Sequence, residues 1–319
     1  MELVLNDHRL KKGVILNYRY KIYAALAASE LSIVYLARDT RLKRTVVVKE
    51  FYPNQLVLRD LDQRSVVCRK PSLRKTFDEW LLRFRSEIDI LREMDHPHIV
   101  SYAAHFNENG TGYLVTEYCR GSALHHYRSQ VDGQLEASFF KQMMLPLVDA
   151  LQYIHSKGYI HRDIKPGNII IGKKGKPWLI DFGSAVSFTR SEKRQVVTTA
   201  GFSALELYSE TSRLGPWSDM YSLSAVLYYY ISGTMPPDVS ERLIEDEIIP
   251  LRELKTNVSS MLAQTIMKGL SVEPQKRVSL KTLKAALQYE AFRLKRLEKK
   301  LGAHQTRLAE TSNGLTEKV

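Results

Sequence analysis

The sequence has little of several features that would each assign the chain to a particular class. Two cysteines, Cys68 and Cys119, occur in 319 residues. This number excludes the disulfide framework of a small secreted domain, and we expect the two thiols not to be bridged. No cysteine and histidine cluster has the spacing of a zinc site. No apolar run reaches the length of a membrane span, since the stretch AVLYYYI from Ala225 is short and has polar flanks.

The first residues of the sequence and its net charge are also informative. The first residues, MELVLNDHRLKK, lack the apolar core of a signal peptide, so we expect a cytoplasmic protein without a membrane anchor. The formal net charge is +12, which would suit a nucleic acid, an acidic membrane surface or an acidic substrate. The basic residues are scattered, with local excesses at 69–75, 190–194 and 293–300, and no nucleic-acid module is recognisable. We therefore expect no nucleic-acid partner.

The hydrophobic pattern changes along the chain. Residues 14–50 and the stretch GYLVTEY from Gly112 alternate or run apolar, which predicts strands, and residues 53–75 form a polar, charged insertion. Apolar residues at spacings of three and four predict a helix over 75–94. Helical patterns follow over 136–156, with a bend expected at Pro146, and over 218–232 and 258–270. The pattern predicts an α+β protein with a small strand-rich lobe, one main helix in it, and a larger, mostly helical lobe.

The polar residues that could carry chemistry lie in two short motifs. In HRDIKPGN, Asp163 and Asn168 are five residues apart with Lys165 between them, and Asp181 follows in DFG. An amide oxygen and a carboxylate are hard ligands of the kind that Mg²⁺ takes, so Asn168 and Asp181 suit a magnesium site. Asp163 is then left to accept a proton from an attacking hydroxyl, and Lys165 could neutralise charge on a phosphoryl group. These residues predict a magnesium-nucleotide reaction.

In order and spacing these motifs resemble those of eukaryotic-type serine/threonine protein kinases. The resemblance covers about residues 14–290, and the run LPLVDALQYIHSKGYIHRDIKP and the insertion after Lys49 resemble the bacterial branch. It implies a two-lobed protein-kinase-like fold, with the N-lobe at 14–116, a hinge at 117–121 and the C-lobe at 122–290. Further matching segments are VVVK ending at Lys49, HPHIV from His96, TEY from Thr116, ALE from Ala204 in place of Ala-Pro-Glu, SDMYSL around Asp219, and PQKR ending at Arg277.

The resemblance implies roles for single positions. Lys49 would hold the α- and β-phosphates of ATP, and Glu87, one turn before Leu91, would pair with it. Asp163 would be the catalytic base, with Lys165 beside it. Asn168 and Asp181 would hold Mg²⁺. The adenine ring would be bounded by the gatekeeper Thr116, the backbone of Glu117 and Cys119, and the side chains of Val34, Val47 and Ile170.

The resemblance also implies the class of substrate. A lysine two residues after the base is typical of kinases that act on serine or threonine in proteins, and Thr199 matches the threonine that such kinases place against the base and this lysine. Arg162 would grip a phosphorylated activation segment, with help from Lys193 or Arg194. We therefore expect autophosphorylation within 184–199, where the acceptors are Ser187, Thr189, Ser191 and Thr198.

Glycine is missing where the resemblance implies a glycine-rich loop over the phosphates. Aligning on Val34 places Ala27, Ser29 and Ser32 at the three glycine positions. We expect a stiffer or differently shaped loop and a weaker grip on the nucleotide, by ~1–2 kcal/mol. The main interpretation is an active protein kinase that uses ATP and Mg²⁺. A pseudokinase that regulates a partner as a scaffold, and a kinase for a small molecule, are the alternatives; the segment TAGFSALE argues against the second, because it resembles a platform for protein substrates.

The tail leaves two interpretations open. Leu280, Leu287, Leu294, Leu301 and Leu308 recur every seven residues, but the second seam includes Glu290 and His304. Residues 291–319 are expected to be a basic extension, helical and then disordered from 311. The alternative is a short coiled coil that pairs two copies of the chain as a weak homodimer.

Overall fold

The computed structural model describes residues 8–129, 135–189, 196–254 and 256–316, with side chains up to residue 301. It divides into two compact units, Met1–Cys119 and Arg120–Val319. The first is built mainly of strands and the second mainly of helices, which is the α+β class that the sequence predicts. Within the described part of the chain, no helix combines the length and the apolar character needed to cross a bilayer.

The first unit contains mainly strands. Its elements are β1 (Ile15–Leu16), β2 (Tyr20–Ala28), β3 (Ser32–Asp39), β4 (Arg44–Phe51), β5 (Val57–Arg59), β6 (Val66–Cys68), helix α1 (Arg74–Arg92), β7 (Tyr102–Glu108) and β8 (Thr111–Glu117). Six of the strands form an antiparallel sheet with the strand order β1-β2-β3-β4-β8-β7. Residues on β3 and β4 alternate between a fully covered face, which carries Tyr35 and Val48, and a half-buried face, which carries Val34 and Lys49. This period of two is what the apolar alternation predicts.

Helix α1 follows a short 3₁₀ turn over Pro71–Leu73. Phe77, Phe84, Ile88 and Leu91 recur at helical spacing and are buried. The rings of Phe77 and Phe84 lie 5.3 and 5.5 Å from the ring of Phe51 on β4. Aromatic contacts at these distances add to the gain from burying apolar surface. Packing on the end of β4 therefore fixes where the helix lies against the sheet.

The insertion after β4 is ordered around a buried charge. Strands β5 and β6 form a separate antiparallel pair, and Arg59 on β5 makes two bonds of 2.7 Å to the carboxylate of Glu50, which is fully buried on β4. The hydroxyls of Tyr35 and Tyr113 each donate to the same carboxylate at 2.8 Å. Burial and the nearby Glu50 charge raise the pKa of both tyrosines, so both stay protonated as donors. The hairpin is thus joined to the core of the sheet.

The same network holds the amino-terminal segment. The Arg59 guanidinium donates to the carbonyl of His8 at 2.8 and 3.0 Å, and the backbone N–H of Leu10 donates to the hydroxyl of Tyr35 at 3.0 Å. Leu10 is buried. His8 and Leu10, which precede the first strand, therefore belong to the packed unit.

The second unit combines small sheets with long helices. Its elements are β9 (Gly121–Ala123), α2 (Leu124–Ser129), a π-helical segment (Phe139–Met144), α3 (Leu145–Ser156), β10 (Tyr159–Ile160), β11 (Ile169–Gly172), β12 (Pro177–Leu179), β13 (Val186–Ser187), α4 (Pro216–Ser232), α5 (Val239–Arg242), α6 (Ser260–Gly269) and α7 (Leu280–Thr316), with short 3₁₀ turns at Pro166–Asn168, Lys173–Gly175, Leu205–Tyr208 and Pro274–Lys276. Strands β9, β11 and β12 form one sheet and β10 pairs with β13.

The helix expected over 136–156 is present but irregular in its first half. The chain is helical from residue 137 to Ser156, and a π-helical segment, Phe139–Met144, runs directly into α3, since Met144 itself has helical φ and ψ. The N–H of Leu145 donates to the carbonyl of Phe140, five residues earlier. Proline has no N–H to donate, and a local change of the hydrogen-bond pattern is typical beside a proline inside a helix. The bend at Pro146 stays a prediction.

Helix α4 is the centre of this unit. Most of its residues are buried on all sides, which is typical of a core helix. It begins with Pro216 and ends at Gly233, whose φ of 87° lies in the left-handed region that glycine adopts at helix ends.

Helix α7 extends beyond the lobe boundary expected at residue 290. Leu287 and Leu294 are buried, and the Glu298 carboxylate accepts a bond from the backbone of Ala137 at 2.9 Å. Leu301 is 64% exposed. The heptad leucines up to Leu294 are thus buried within the unit. Among the heptad leucines whose side chains are described, Leu301 is exposed.

Disorder from residue 311, as expected above, is not what the structure has, because α7 continues to Thr316. Extending a helix costs much less than starting one, and the packed first half of α7 supplies the start.

Candidate active site

Lys49 lies on β4 and points to α1. Its Nζ is 2.8 and 3.0 Å from the two carboxylate oxygens of Glu87, the pairing that the sequence predicts. Glu87 is buried, and the Lys49 side chain is largely covered. A buried carboxylate of this kind needs its cationic partner, so Glu87 fixes the position of the ammonium group.

The positions assigned to the adenine ring lie mainly on one sheet. Val34 is opposite Lys49 in the β3–β4 register, and Val47 is opposite Thr116 in the β4–β8 register. Directly opposed residues share a face, so these side chains line the half-buried face of the sheet.

The other three positions assigned to the adenine ring lie outside this face of the sheet. Glu117 ends β8 and its carboxylate is 2.6 Å from Arg44, the half-buried Cys119 closes the first unit, and Ile170 lies on β11 of the second unit.

The stretch without glycine forms the turn between β2 and β3. Ala27 pairs with Val34, and the turn spans residues 29–31. Ala27, Ser29 and Ser32 all have negative φ, so this loop does not use the backbone freedom that glycine would give. The expectation of a differently shaped loop concerns this turn, whose hydrogen bonds are described below.

In the second unit, the loop that carries Asp163 is held by Asp219 on α4. The Asp219 carboxylate accepts the backbone N–H groups of His161 and Arg162, both at 2.9 Å, and lies 2.7 Å from Nε2 of His155. Burial by itself would raise the pKa of Asp219, yet the bond from His155 and the backbone donors hold that pKa below its ordinary value. Arg162 has a φ of 65°, a strained value for this residue type, and the bond to Asp219 helps to maintain it.

His161 in this loop supports the backbone. Burial lowers its pKa, so the imidazole is neutral at neutral pH, and its Nδ1 accepts the backbone N–H of Asp163 at 3.3 Å. His161 therefore has a structural role in this loop.

Three polar side chains meet at the carboxylate of Asp163. Lys165 Nζ is 2.9 Å from Oδ2, the Asn168 amide nitrogen donates to Oδ2 at 2.8 Å, and the Thr199 hydroxyl donates to Oδ1 at 2.9 Å. Lys165 also donates to Thr199 at 3.3 Å. The placement of Thr199 against Asp163 and Lys165, predicted from the sequence, is confirmed. Both oxygens of the carboxylate are thereby oriented, as a positioned proton acceptor requires.

A hairpin brings Asn168 and Asp181 to the same end of a small sheet. Asn168 immediately precedes β11, and one residue, Ile180, separates Asp181 from the end of β12. Ile169 lies opposite Leu179. The N–H of Ile180 donates to the carbonyl of Asn168 at 2.9 Å, which closes this end.

The donor set at this end of the hairpin fits Mg²⁺. The amide nitrogen of Asn168 is directed to Asp163, so its amide oxygen is the atom left to act as a ligand, and Asp181 supplies carboxylate oxygen. Two hard oxygen ligands are typical of magnesium sites that keep several waters. Among the described residues, no group of three or more histidine, cysteine or acidic side chains is arranged to hold a metal.

Comparison with known proteins identifies the family. The profile of the protein kinase domain matches residues 30–289. The chain belongs to the protein kinase family. A serine/threonine-protein kinase C from Synechocystis is 30% identical over 285 residues, which are 85% of this chain and 49% of that protein. Serine/threonine-protein kinase PknA from Nostoc is 29% identical over 278 residues, 82% of this chain and 45% of that protein.

A solved structure supports the fold. The apo form of PpkA-294 is 32% identical, with a TM-score of 0.76, and the match covers 88% of this chain and 99% of that one. The match to a protein-kinase fold of the bacterial branch, predicted from the motifs, is thus confirmed. The chain spans less than half the length of the two curated kinases named above.

In this kinase the segment ALE carries a buried ion pair. Glu206 receives two bonds from Arg277, at 2.7 and 3.0 Å, and one from the Ser218 hydroxyl at 2.7 Å. Both side chains of the pair are almost fully covered. The pair connects the 3₁₀ turn at Leu205–Tyr208 to the residues just before α7.

The kinase activation segment is described in part. Ser191, Lys193 and Arg194, named above as acceptor or partner residues, lie outside the described residues. Arg162 donates through Nε to the carbonyl of Ser184 at 2.5 Å, and the hydroxyls of Ser187 and Thr189 are 2.8 Å apart.

Sequence reasoning missed two serines of this kinase that fix local backbone. The Ser203 hydroxyl accepts the N–H of Thr199 at 2.8 Å and so helps to hold that threonine against Asp163. Ser29 has a similar function in the β2–β3 turn. Small polar residues in turns often bond to backbone N–H groups two to four positions away, and that tendency is the signal that could have found them.

Proposed function

We propose that the chain is an ATP-dependent serine/threonine protein kinase that transfers the γ-phosphate to hydroxyls of proteins. The observation that carries the proposal is the orientation of the Asp163 carboxylate by Lys165, Asn168 and Thr199. A carboxylate held by three donors keeps one position, which a base needs if it is to meet the hydroxyl of a substrate.

The proposed reaction assigns one task to each group. The substrate hydroxyl gives its proton to Asp163 while its oxygen forms a bond to the γ-phosphorus, and the bond from that phosphorus to the β-phosphate oxygen breaks to release ADP. Lys165 lies beside the path of the moving phosphoryl group and offsets its charge. Mg²⁺, bound by Asn168 and Asp181, would neutralise phosphate charge.

The nucleotide would be held by the groups that the resemblance implies. Lys49, fixed by Glu87, would contact the α- and β-phosphates. Thr116 would act as gatekeeper, the backbone of Glu117 and Cys119 would bond to the adenine edge, and apolar side chains would bound the ring. These side chains are Val34, Val47 and Ile170.

The test is a transfer assay. The chain is incubated with labelled ATP, Mg²⁺ and a generic basic protein, and the modified amino acids are identified after hydrolysis. We expect phosphoserine and phosphothreonine, and no transfer when Mg²⁺ is removed with a chelator. Nucleotide binding without transfer would favour the pseudokinase scaffold, which is motivated by the turn without glycine. Phosphate found on a small molecule and not on protein would favour the second alternative.

Replacing Lys49 by methionine should lower kcat/KM for ATP by about 100-fold, because a charge that stabilises the phosphates is lost. The measurement is the initial rate of transfer at varied ATP concentration. Lys21→Met is a matched control, since Lys21 is an exposed lysine on β2 of the same sheet. Equal kcat/KM for the Lys49 variant and the unmodified chain would show that Lys49 does not contribute to the nucleotide site.

We also propose autophosphorylation in residues 184–199. Thr198, Ser187 and Thr189 are acceptors among the described residues, and Arg162 lies close enough to bond to Ser184 in this segment. Mass spectrometry after incubation with ATP and Mg²⁺ should find phosphate in this segment. Finding none there, in a preparation that does phosphorylate a basic protein, would contradict this part of the proposal.

A further inference from the structure

The turn between β2 and β3 is closed by a side chain. The Ser29 hydroxyl oxygen accepts the N–H groups of Leu31 and Ser32, at 3.3 and 3.1 Å. The N–H of Ser29 donates to the carbonyl of Ser32 at 2.8 Å. Three backbone donors of the turn are therefore engaged within the turn itself.

The tip of the same turn is attached to the chain that follows β4. The N–H of Tyr52 donates to the carbonyl of Leu31 at 2.8 Å, and the N–H of Asn54 donates to the carbonyl of Glu30 at 2.9 Å. These bonds extend the pairing of β3 and β4 by two further contacts. The turn thus has a fixed position on the sheet as well as a closed shape.

Both features bear on phosphate binding. In protein kinases this loop covers the phosphates of ATP, and backbone N–H groups are the donors that cradle phosphate in such loops. An N–H that already has a partner must lose that bond before it can serve a phosphate oxygen. The tip also carries an exposed acid, Glu30, whose charge opposes that of a triphosphate.

We propose that Ser29 is a positioning residue that keeps the amides of this turn from the phosphates, so that the loop adds little to the affinity for ATP. The proposal rests on the proposed function, because it assumes that ATP binds at Lys49. It assigns phosphate binding in the first unit to the Lys49 ammonium and not to the loop. Restoring glycine at position 29 should therefore strengthen ATP binding.

The test compares ATP with adenosine, which lacks the phosphates. Dissociation constants for Mg²⁺-ATP and for adenosine are measured by calorimetry on the full chain and on Ser29→Gly, Ser29→Ala and Ser29→Thr. We expect Ser29→Gly to bind Mg²⁺-ATP about tenfold more tightly and adenosine within twofold of the unmodified chain. Ser29→Ala should show a smaller gain, because it releases the amides but does not adopt positive φ easily. Ser29→Thr keeps the hydroxyl and should behave as the unmodified chain.

A control variant and two further measurements separate the effect of the Ser29 hydroxyl from a general loss of structure. Ser65→Gly replaces a serine in the turn before β6 of the same unit, where the hydroxyl bonds to Asp62, and should change neither constant. Hydrogen exchange without nucleotide reports the turn directly, since the amides of Leu31 and Ser32 should exchange faster in Ser29→Ala than in the unmodified chain. Thermal unfolding checks that each variant is folded.

The outcomes are distinct. If Ser29→Gly and Ser29→Ala bind Mg²⁺-ATP as tightly as the unmodified chain or less tightly, with adenosine unchanged, Ser29 does not have the role proposed. Unchanged exchange at Leu31 and Ser32 in Ser29→Ala would overturn it without reference to nucleotide. If the unmodified chain binds neither ligand, the proposed function itself fails, and the inference fails with it.

Discussion

Asp163→Asn should lower the rate of phosphoryl transfer by about three orders of magnitude, the range expected when a general base is removed. The amide has the size of the carboxylate but cannot accept the proton of the substrate hydroxyl. In the unmodified chain, Lys165, Asn168 and Thr199 all donate to the carboxylate, which only accepts hydrogen bonds. The variant places an NH₂ group, itself a donor, among these three donors. The loss should appear in kcat.

The measurement combines initial rates of transfer with calorimetric binding of Mg²⁺-ATP. Binding should change by less than the rate does, because Asp163 is assigned to the proton and not to the nucleotide. Asp149→Asn is the matched control; Asp149 on α3 is partly exposed and paired with Lys284, so its loss should leave the rate unchanged. A rate for Asp163→Asn within threefold of the unmodified chain would exclude Asp163 as the base.

Arg277→Met should destabilise the second unit by about 3–5 kcal/mol, the usual cost of removing one partner of a buried ion pair. Glu206 would keep the Ser218 hydroxyl as a donor but lose both bonds from the guanidinium. The carbonyls of Ser271 and Val272, which also accept from Arg277, would lose a donor.

This effect is measured by unfolding in urea, with the transition of the second unit followed separately. Lys276→Met is the matched control, because the neighbouring pair of Lys276 and Glu273 is exposed to solvent and such pairs contribute about 0–1 kcal/mol. Equal stabilities for the two variants would show that the buried pair is not a main support of this unit. Adding Glu206→Leu to Arg277→Met should recover part of the loss, since the unpaired charge is then gone.

The parts of the site that the sequence predicts best are those set by local spacing. The resemblance assigns the partner of Lys49 to Glu87, one helical turn before Leu91, and Glu87 does meet Lys49. Asn168 and Asp181 are brought to one end of a hairpin whose length is encoded in the twelve residues between them. The hairpin relation depends on strand geometry alone, whereas the contact of Lys49 with Glu87 joins β4 to α1 and follows from the family resemblance.

Other features depend on contacts that spacing does not encode. The sequence marks 53–75 as a polar insertion, yet Arg59 from this stretch lies in the core on Glu50. A charge pattern does not say which charges will be buried, because the cost of burial is offset only by partners that are distant in sequence. The missing glycines predict that the β2–β3 turn differs in shape from a glycine-rich loop. They do not predict which backbone groups the Ser29 hydroxyl bonds, which only the structure gives.

The contacts of His8, Leu10 and Leu294 have a practical consequence for anyone who trims this protein. The family match runs from residue 30 to 289, and a clone cut at those points would omit the carbonyl that Arg59 binds, the amide that Tyr35 receives and a leucine that α7 buries. Alignment boundaries report where sequences stay comparable across relatives, whereas folding requires every segment that fills the interior. A gene fragment for expression should therefore begin before His8 and extend past Glu298.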